Sequence, residues 1–298
     1  MPDIAMKIVN AFITGLAQGS MIALVALGYT MVYGILKLIN FAHSEVFMMG
    51  AFIGFFAITA IGGKDAPVIA GVGGTLLAMA FAGLLGMLVE KIAYSPLRTR
   101  GKGKANTRIT PLVTALGMSV LLQNLAQLLF TAQYRGYPQL LPIEHTRKVI
   151  FISAFSVMVA LQFLVHRTWM GKAMRALSVN IEAARLMGIH TSRVISITFI
   201  VGSVLAALGA VLYCLDQSQV YPTMGVVIGT RAFVAAVIGG IGNIPGAMLG
   251  GLLIGVIGEM TKLTAYSGLQ DVLVFTALIA VLLVKPTGLL GKASIEKV

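Results

Sequence analysis

The sequence is poor in charge: only 11% of its 298 residues are Asp, Glu, Lys or Arg, whereas 58% are hydrophobic. A soluble domain of this size would leave large apolar patches exposed to water, so the composition excludes a soluble fold and indicates a polytopic membrane protein. The single cysteine, Cys214, excludes an intrachain disulfide and a cysteine metal cluster.

The chain also lacks the motifs that carry common catalytic chemistry. It contains no HExxH, no G-x-S-x-G and no P-loop pattern G-x-x-x-x-G-K-[ST]. No second histidine, cysteine or carboxylate is spaced with His43 to form a metal site. Glu90, Tyr94 and His43 do not form a convincing catalytic pair for a membrane enzyme. We therefore expect no catalytic residue, metal or cofactor on this chain, and an energised process must take its nucleotide from another chain.

What the sequence does contain is a series of apolar runs, and a spanning helix needs about 20 such residues. The runs cover 8–39, 46–61, 67–89, 111–132, 149–165, 194–215, 246–260 and 272–284, with a shorter run at 231–240. The first run is too long for a signal-peptide core, so we expect it to be retained. The pattern predicts one all-α transmembrane domain over residues 1–298, with about eight transmembrane helices, some broken or short.

The positive charges lie between these runs and orient the chain. Three segments hold most of them: Lys91, Arg98, Arg100, Lys102, Lys104 and Arg108 in the first; Arg167, Lys172, Arg175, Arg185 and Arg193 in the second; Lys285, Lys292 and Lys297 in the tail. Cytoplasmic loops carry the excess of Lys and Arg, so we expect these segments and the C-terminus inside and the N-terminus outside. Topology therefore accounts for the net charge of +12, and nucleic-acid binding is not expected.

Glycine is abundant, with 34 residues, and crowds the region after Arg231. Small residues let membrane helices approach closely, and ordinary packing is one explanation for them. The stretch ALVALGYTMVYG (23–34) also faintly resembles AFVAAVIGGIG (232–242), which would suit a transporter with two repeats and broken helices at their interface. The break supplies candidate residues for a translocation pathway: Gly239, Gly240, Gly242, Asn243 and Pro245.

Polar residues also lie between the first two runs, in the stretch INFAHSE (39–45). An ionisable group at the bilayer centre costs about 2.5–3.5 kcal/mol. Either this stretch lies at the cytoplasmic edge, or it lines an aqueous path. The second alternative adds Asn40, His43 and Glu45 to the pathway candidates. Tyr29 and Tyr33 share a helix face and serve either packing or the path.

The polar segment 167–193 is expected to be a cytoplasmic loop that contains a short helix. Asn180 can cap its start, and Gly188 suits a left-handed stop after Met187. The helix, predicted over residues 181–187, would present Ala183, Leu186 and Met187 as an apolar knob that fits a groove on a partner. A helix lying on the lipid surface is the alternative.

Glu-Ala-Ala at 182–184, with Gly188 four residues after the second alanine, resembles the EAA motif of ABC importer permeases. Further stretches are similar to LivH-type permeases of high-affinity branched-chain amino acid importers: Gly15–Phe52, Ala93–Arg98, Thr114–Asn124, Arg175–Ile189, Phe233–Gly255 and Lys285–Gly291. The resemblance runs nearly end to end. One departure is NFAHSE, in which Ser44 replaces the family's common glycine, so the local bend is expected to differ.

The resemblance implies a type II ABC importer-like permease in the bacterial inner membrane, which moves leucine, isoleucine or valine inward by alternating access. It implies a second, dissimilar permease subunit, two cytoplasmic ATPase subunits that hold ATP and Mg, and a periplasmic amino-acid-binding protein. It assigns ATPase coupling to a set of loop residues: Asn180, Glu182, Ala183, Ala184, Arg185, Leu186, Met187, Gly188 and Ile189. A permease for urea or short amides and a passive channel or carrier remain alternatives.

Overall fold

The computed structural model describes residues 2–63, 66–100, 109–264 and 267–291. Five residues of the charge argument lie outside this part of the chain: Lys102, Lys104, Arg108, Lys292 and Lys297. The α-helices of the described part are α1 (Pro2–Leu36), α2 (Ala42–Gly62), α3 (Val68–Val89), α4 (Ser95–Arg100), α5 (Ile109–Phe130), α6 (Ile143–Arg167), α7 (Trp169–Val179), α8 (Ile181–Leu186), α9 (Thr191–Gln217), α10 (Met224–Gly239), α11 (Ile244–Lys262) and α12 (Gln270–Val284).

The predicted all-α membrane fold is confirmed. Within the described ranges, eight helical segments are long and apolar enough to cross a membrane, and they coincide with the eight long apolar runs. The short run before the break forms α10, which has only 16 residues. A π-helical turn, Glu90–Tyr94, continues α3 towards α4, and a 3-10 turn, Ser267–Leu269, precedes α12. The chain is therefore a multi-pass membrane protein in which the apolar helix α10 is too short to span.

The core of the bundle is built on the close approach of α1 to α11. A Cβ atom added to Gly251 would lie 2.5 Å from Ala23 Cα, and one added to Gly19 would lie 2.7 Å from Leu252 Cα. Each distance is too short for a real Cβ contact, so the two backbones meet where side chains are absent. Close approach of this kind is how helices associate in a membrane, where burial of apolar surface contributes little.

One end of the bundle, which we name the β end, is closed by the links that follow α5 and α9. Strand β1 (Arg135–Gly136) pairs with strand β2 (Gln219–Val220) in antiparallel register. Arg147 forms an ion pair with Asp216, with 3.4 Å between Nε and Oδ1. These contacts hold the two links together, so the chain approaches α6 and α10 from the same end of the bundle.

The opposite end, which we name the break end, holds the interruption between α10 and α11. Gly240 follows α10 with φ +105°, a conformation that favours glycine, and turns the chain towards α11. The segment after α12 packs against this turn. The Leu289 N–H donates to Ile238 O at 2.8 Å, and the Leu290 N–H donates to Gly239 O at 3.0 Å. The end of α10 thus finds hydrogen-bond partners in the chain's last described segment.

Replacing Gly251 with alanine should destabilise the bundle, because the new methyl group would overlap the Ala23 backbone of α1. Overpacking of this kind costs roughly 1–3 kcal/mol. Gly117 in α5 has no heavy atom within 4 Å of its added Cβ, so Gly117→Ala should be neutral or slightly stabilising. Thermal unfolding of both variants in detergent measures the difference, and equal midpoints would contradict this packing.

Candidate functional site

The polar segment 167–193 folds into two helices, of which the sequence analysis predicted one. Helix α7 was missed. Thr168 caps it by accepting a hydrogen bond from the Gly171 N–H at 3.2 Å, and its buried face carries Gly171, Ala173, Met174 and Leu177. A threonine followed by small and apolar residues three and four apart was the signal that could have found this helix.

Helix α8 occupies the position of the predicted short helix. The Asn180 side-chain oxygen accepts a hydrogen bond from the Ala183 N–H at 3.0 Å, which caps the start. The helix ends at Leu186, one residue before the predicted end, because the chain already turns at Met187. Gly188 has φ +83°, and the Ile189 N–H donates to Ala184 O at 3.1 Å across the turn. Local cap chemistry therefore defines both ends of this helix.

The outer face of α8 is apolar and uncovered. Leu186 is 88% exposed and Met187 is 82% exposed, whereas Ala184 is buried against the rest of the chain. Ala183 is exposed beside them. We name Ala183, Leu186 and Met187 the docking surface. Glu182 and Arg185, which are also exposed, surround it with charge of both signs.

Helix α7 connects the docking surface to the helix bundle, because it contacts α1, α6, α8 and α9. Its Arg175 guanidinium donates a hydrogen bond to Val165 O, in the last turn of α6. Gly171 packs directly against the same carbonyl group. Helix α7 therefore links α8 to the end of α6.

A cavity of about 620 Å³ lies at the break end, and we name it the inner cavity. Four of the predicted pathway residues line it: Tyr33, Gly242, Asn243 and Pro245. Two others, Gly239 and Gly240, do not; Gly239 packs against Gly246, and Gly240 against Gly288 and Gly291. The remaining lining comes from the ends of α1 and α6, from α7, from α10, the break and the start of α11, and from the segment after α12: Lys37, Val165, His166, Arg175, Val237, Ile241, Ile244, Pro286, Thr287 and Gly291.

The sequence analysis assigned no role in the pathway to the cations of the inner cavity. Lys37 ends α1 in a left-handed conformation with φ +54°, which places its ammonium group 6.0 Å from the centre of the Tyr33 ring. Arg175 comes from the helix that was missed. No local pattern in the sequence signals either position, because they meet only when α1, α6 and α7 are packed.

The other pathway candidates lie inside the bundle, away from the inner cavity. Asn40 accepts a hydrogen bond from the Tyr94 hydroxyl at 2.9 Å and joins the α1–α2 turn to the π-helical turn. His43 and Glu45 are buried at the start of α2, as is Tyr29 of α1. The Tyr29 and His43 rings meet edge-on, with centroids 4.9 Å apart. We name Tyr29, His43, Ser44 and Glu45 the buried polar cluster.

The buried polar cluster lies deep in the bundle rather than at its edge. His43 packs against Gly28, eight residues before the end of α1, which corresponds to about 12 Å along the helix. Helix α10 covers the cluster: a Cβ atom added to Gly225 would lie 2.9 Å from Glu45 Oε2. The start of α2 and the start of α10 therefore meet within the bundle, which the alternation of apolar and polar runs did not reveal.

Comparison with known proteins places this architecture in a family. The family model described as branched-chain amino acid transport system / permease component matches residues 11–282. The high-affinity branched-chain amino acid transport system permease protein BraD of Pseudomonas aeruginosa is 39% identical over 314 aligned positions, which cover 100% of both chains.

Two further relatives cover most of the chain. The high-affinity branched-chain amino acid transport system permease protein LivH of Escherichia coli K12 is 38% identical over 95% of this chain and 96% of its own length. The probable branched-chain amino acid transport permease protein LivH of Methanocaldococcus jannaschii is 25% identical over 91% of this chain and 89% of its own length. No solved structure matches.

Proposed function

The chain belongs to the family of permease components of branched-chain amino acid transport systems, and from this premise we propose that it moves leucine, isoleucine and valine from the periplasm to the cytoplasm. The observation that carries the proposal is the match, over the whole length of the chain, to permeases named for these amino acids. The names of the relatives favour amino acids over urea or short amides, and a transport system over a passive channel.

We further propose that the chain works with a second, dissimilar permease subunit, two cytoplasmic ATPase subunits and a periplasmic amino-acid-binding protein. ATP and Mg would bind the ATPase subunits, because this sequence carries no P-loop. The exposed docking surface supports an ATPase partner, since an uncovered apolar knob on a short capped helix fits a groove. Lipid, or the second permease, would cover the outer faces of α5 and α12, which are largely exposed.

The contacts of α7 suggest how ATP binding would drive transport. Closure of the ATPase subunits would displace α8, and α7 would pass the displacement to α6 through Arg175 and Val165. Arg175 also lines the inner cavity, which lies next to the break between α10 and α11. Movement of α7 would therefore change the shape of the inner cavity, and with it access from the cytoplasm.

We propose that the break end faces the cytoplasm of a bacterial inner membrane and the β end faces the periplasm. Helix α7 lies at the break end, and the five Lys and Arg residues of segment 166–193 favour the cytoplasm. On this orientation α1 crosses inward, so the N-terminus is periplasmic, and α12 returns the chain to the cytoplasm.

The double variant Leu186→Ser, Met187→Ser should weaken assembly with the ATPase subunits at least tenfold. Burial of each of these side chains contributes about 1.5–3 kcal/mol, and 1.4 kcal/mol corresponds to a tenfold change in affinity. Co-purification of the ATPase with the tagged permease measures the effect. Ile69→Ser is the matched control, because Ile69 is 78% exposed at the start of α3, far from the docking surface along the chain.

Gly188 offers a second pair of variants that tests whether α8 binds the ATPase subunits. Gly188→Val forces a β-branched residue into φ +83° and should also weaken assembly, whereas Gly188→Asn should retain it, because asparagine tolerates this conformation. Full ATPase assembly with both the serine double variant and Gly188→Val would rule out α8 as the docking element.

Cysteine labelling in intact cells should report opposite sides for the two ends of the chain. A cysteine in place of Gln139, at the β end, should react with a membrane-impermeant maleimide, whereas one in place of Ser192 should react only after permeabilisation. Cys214 is buried, so the parent chain should not label under either condition. Labelling of position 192 in intact cells would reverse the proposed orientation.

The complex reconstituted in proteoliposomes should take up labelled leucine when ATP is supplied, and should not take up urea. Substrate enters through the binding protein, so each candidate binding protein is tested in turn. Leucine uptake without ATP would point to a passive carrier. Uptake of urea alone would refute the assignment to amino acids.

A further inference from the structure

The inner cavity carries positive charge that no described carboxylate neutralises. Lys37, His166 and Arg175 converge on it from the end of α1, the end of α6 and the middle of α7, and its lining residues include no Asp or Glu. The ion pairs of the described residues lie elsewhere, for example between Arg147 and Asp216. Neither Lys37 nor Arg175 takes part in them.

The rule that cytoplasmic loops are positive does not by itself account for this convergence. Arg167 and Lys172 belong to the same segment as Arg175 and carry the same charge. All three side chains are exposed, but Arg167 and Lys172 do not line the inner cavity. Topology asks only for positive charge on this side of the membrane, so it does not decide which of these cations line the cavity.

The arrangement of donors suits an anionic group. A guanidinium has five N–H donors, of which Arg175 gives one to Val165 O, so several remain for a ligand. The Lys37 ammonium group lies on the same cavity wall as Tyr33. Asn243, at the start of α11, adds the positive end of a helix dipole. Charge-assisted hydrogen bonds to a carboxylate or phosphate are the strong bonds that such groups form.

The rest of the lining is aliphatic. Val165, Val237, Ile241, Ile244 and Pro286 form an apolar wall beside the cations. Ligand cavities commonly measure about 300–1,000 Å³ and combine a mainly apolar lining with a few polar groups, and the inner cavity has this size and composition. A ligand with an anionic end and a short aliphatic end matches both the cations and the apolar residues of the lining.

We propose that the inner cavity is a cytoplasmic binding site for an aliphatic amino acid, in which Lys37 and Arg175 bind the carboxylate. The identity of the amino acid rests on the proposed function. The side-chain oxygen of Thr287, which also lines the inner cavity, accepts from the ammonium group. Because Arg175 lies on α7, an amino acid bound here contacts the helix that connects the docking surface to the bundle.

Binding of tritiated L-leucine to the nucleotide-free complex, prepared without the binding protein in phosphatidylcholine nanodiscs, tests the site. Lys37→Gln should weaken binding about tenfold or more, and Lys37→Arg should restore most of it. Lys172→Gln, which removes the same charge from the exposed face of α7, should bind as the unaltered complex does. Leucinamide, which lacks the carboxylate, should compete at least tenfold more weakly than leucine.

Absence of leucine binding in the unaltered complex, equal binding by the Lys37→Gln and Lys172→Gln variants, or equal competition by leucinamide would each overturn the proposal. Nanodiscs that contain phosphatidylglycerol, and added inorganic phosphate, identify other anions: if either abolishes leucine binding, the cavity is a lipid or phosphate site instead. Leucine uptake with the binding protein is measured on the same preparations. If the unaltered complex takes up leucine and the Lys37→Gln variant binds leucine equally well, only this site is refuted. If the unaltered complex takes up no leucine, the proposed function is refuted.

Discussion

The interior of a bilayer offers no water to backbone N–H and C=O groups, and this constraint decides how the chain is interrupted between α10 and α11. An open turn in lipid is not tolerated, so a broken helix must find its partners in protein. Here the segment after α12 supplies them, with Leu289 and Leu290 donating to the last carbonyl groups of α10. The segment after α12 is therefore an integral part of the fold. The inner cavity forms where this segment lies beside the break.

Hydropathy was sufficient to predict the membrane-spanning helices, because each crossing must place about 20 apolar residues in the bilayer, whichever helices pack beside it. The cap of α8 was equally accessible, since Asn180 and Gly188 act on the backbone within a few residues. Helix α7 was overlooked because its charges obscured a narrow apolar face. The depth of His43 could not be read from the sequence, because the turn after α1 runs back into the bundle before α2 begins, and only packing against Gly28 reveals it.

Segment 167–193 presents two faces of different character. Its outer face is apolar on α8 and open to another protein, whereas its inner face on α7 is fixed to α6 and borders the inner cavity. A helix of six residues is too short to hold its shape alone, so α8 depends on its caps and on α7. The caps and the contact with α7 fix α8 on the bundle, while Leu186 and Met187 stay exposed.

The buried polar cluster indicates where the bundle would change during transport. Among the described residues, His43 Nε2 and Glu45 Oε2 are buried without a hydrogen-bond partner, and each such group costs about 1–3 kcal/mol. Gly225 and Gly229 of α10 pack directly against Ser44 and Glu45, because glycine has no side chain to separate the two helices. A movement of α10 away from α2 would admit water to these groups and lower that cost, offsetting part of the packing lost. At the glycine contact between α1 and α11 the two backbones meet directly, and neither of these unpaired groups lies there. The alternating access that the resemblance implies would need a fixed core and a displaceable helix, and the two contacts differ in this respect.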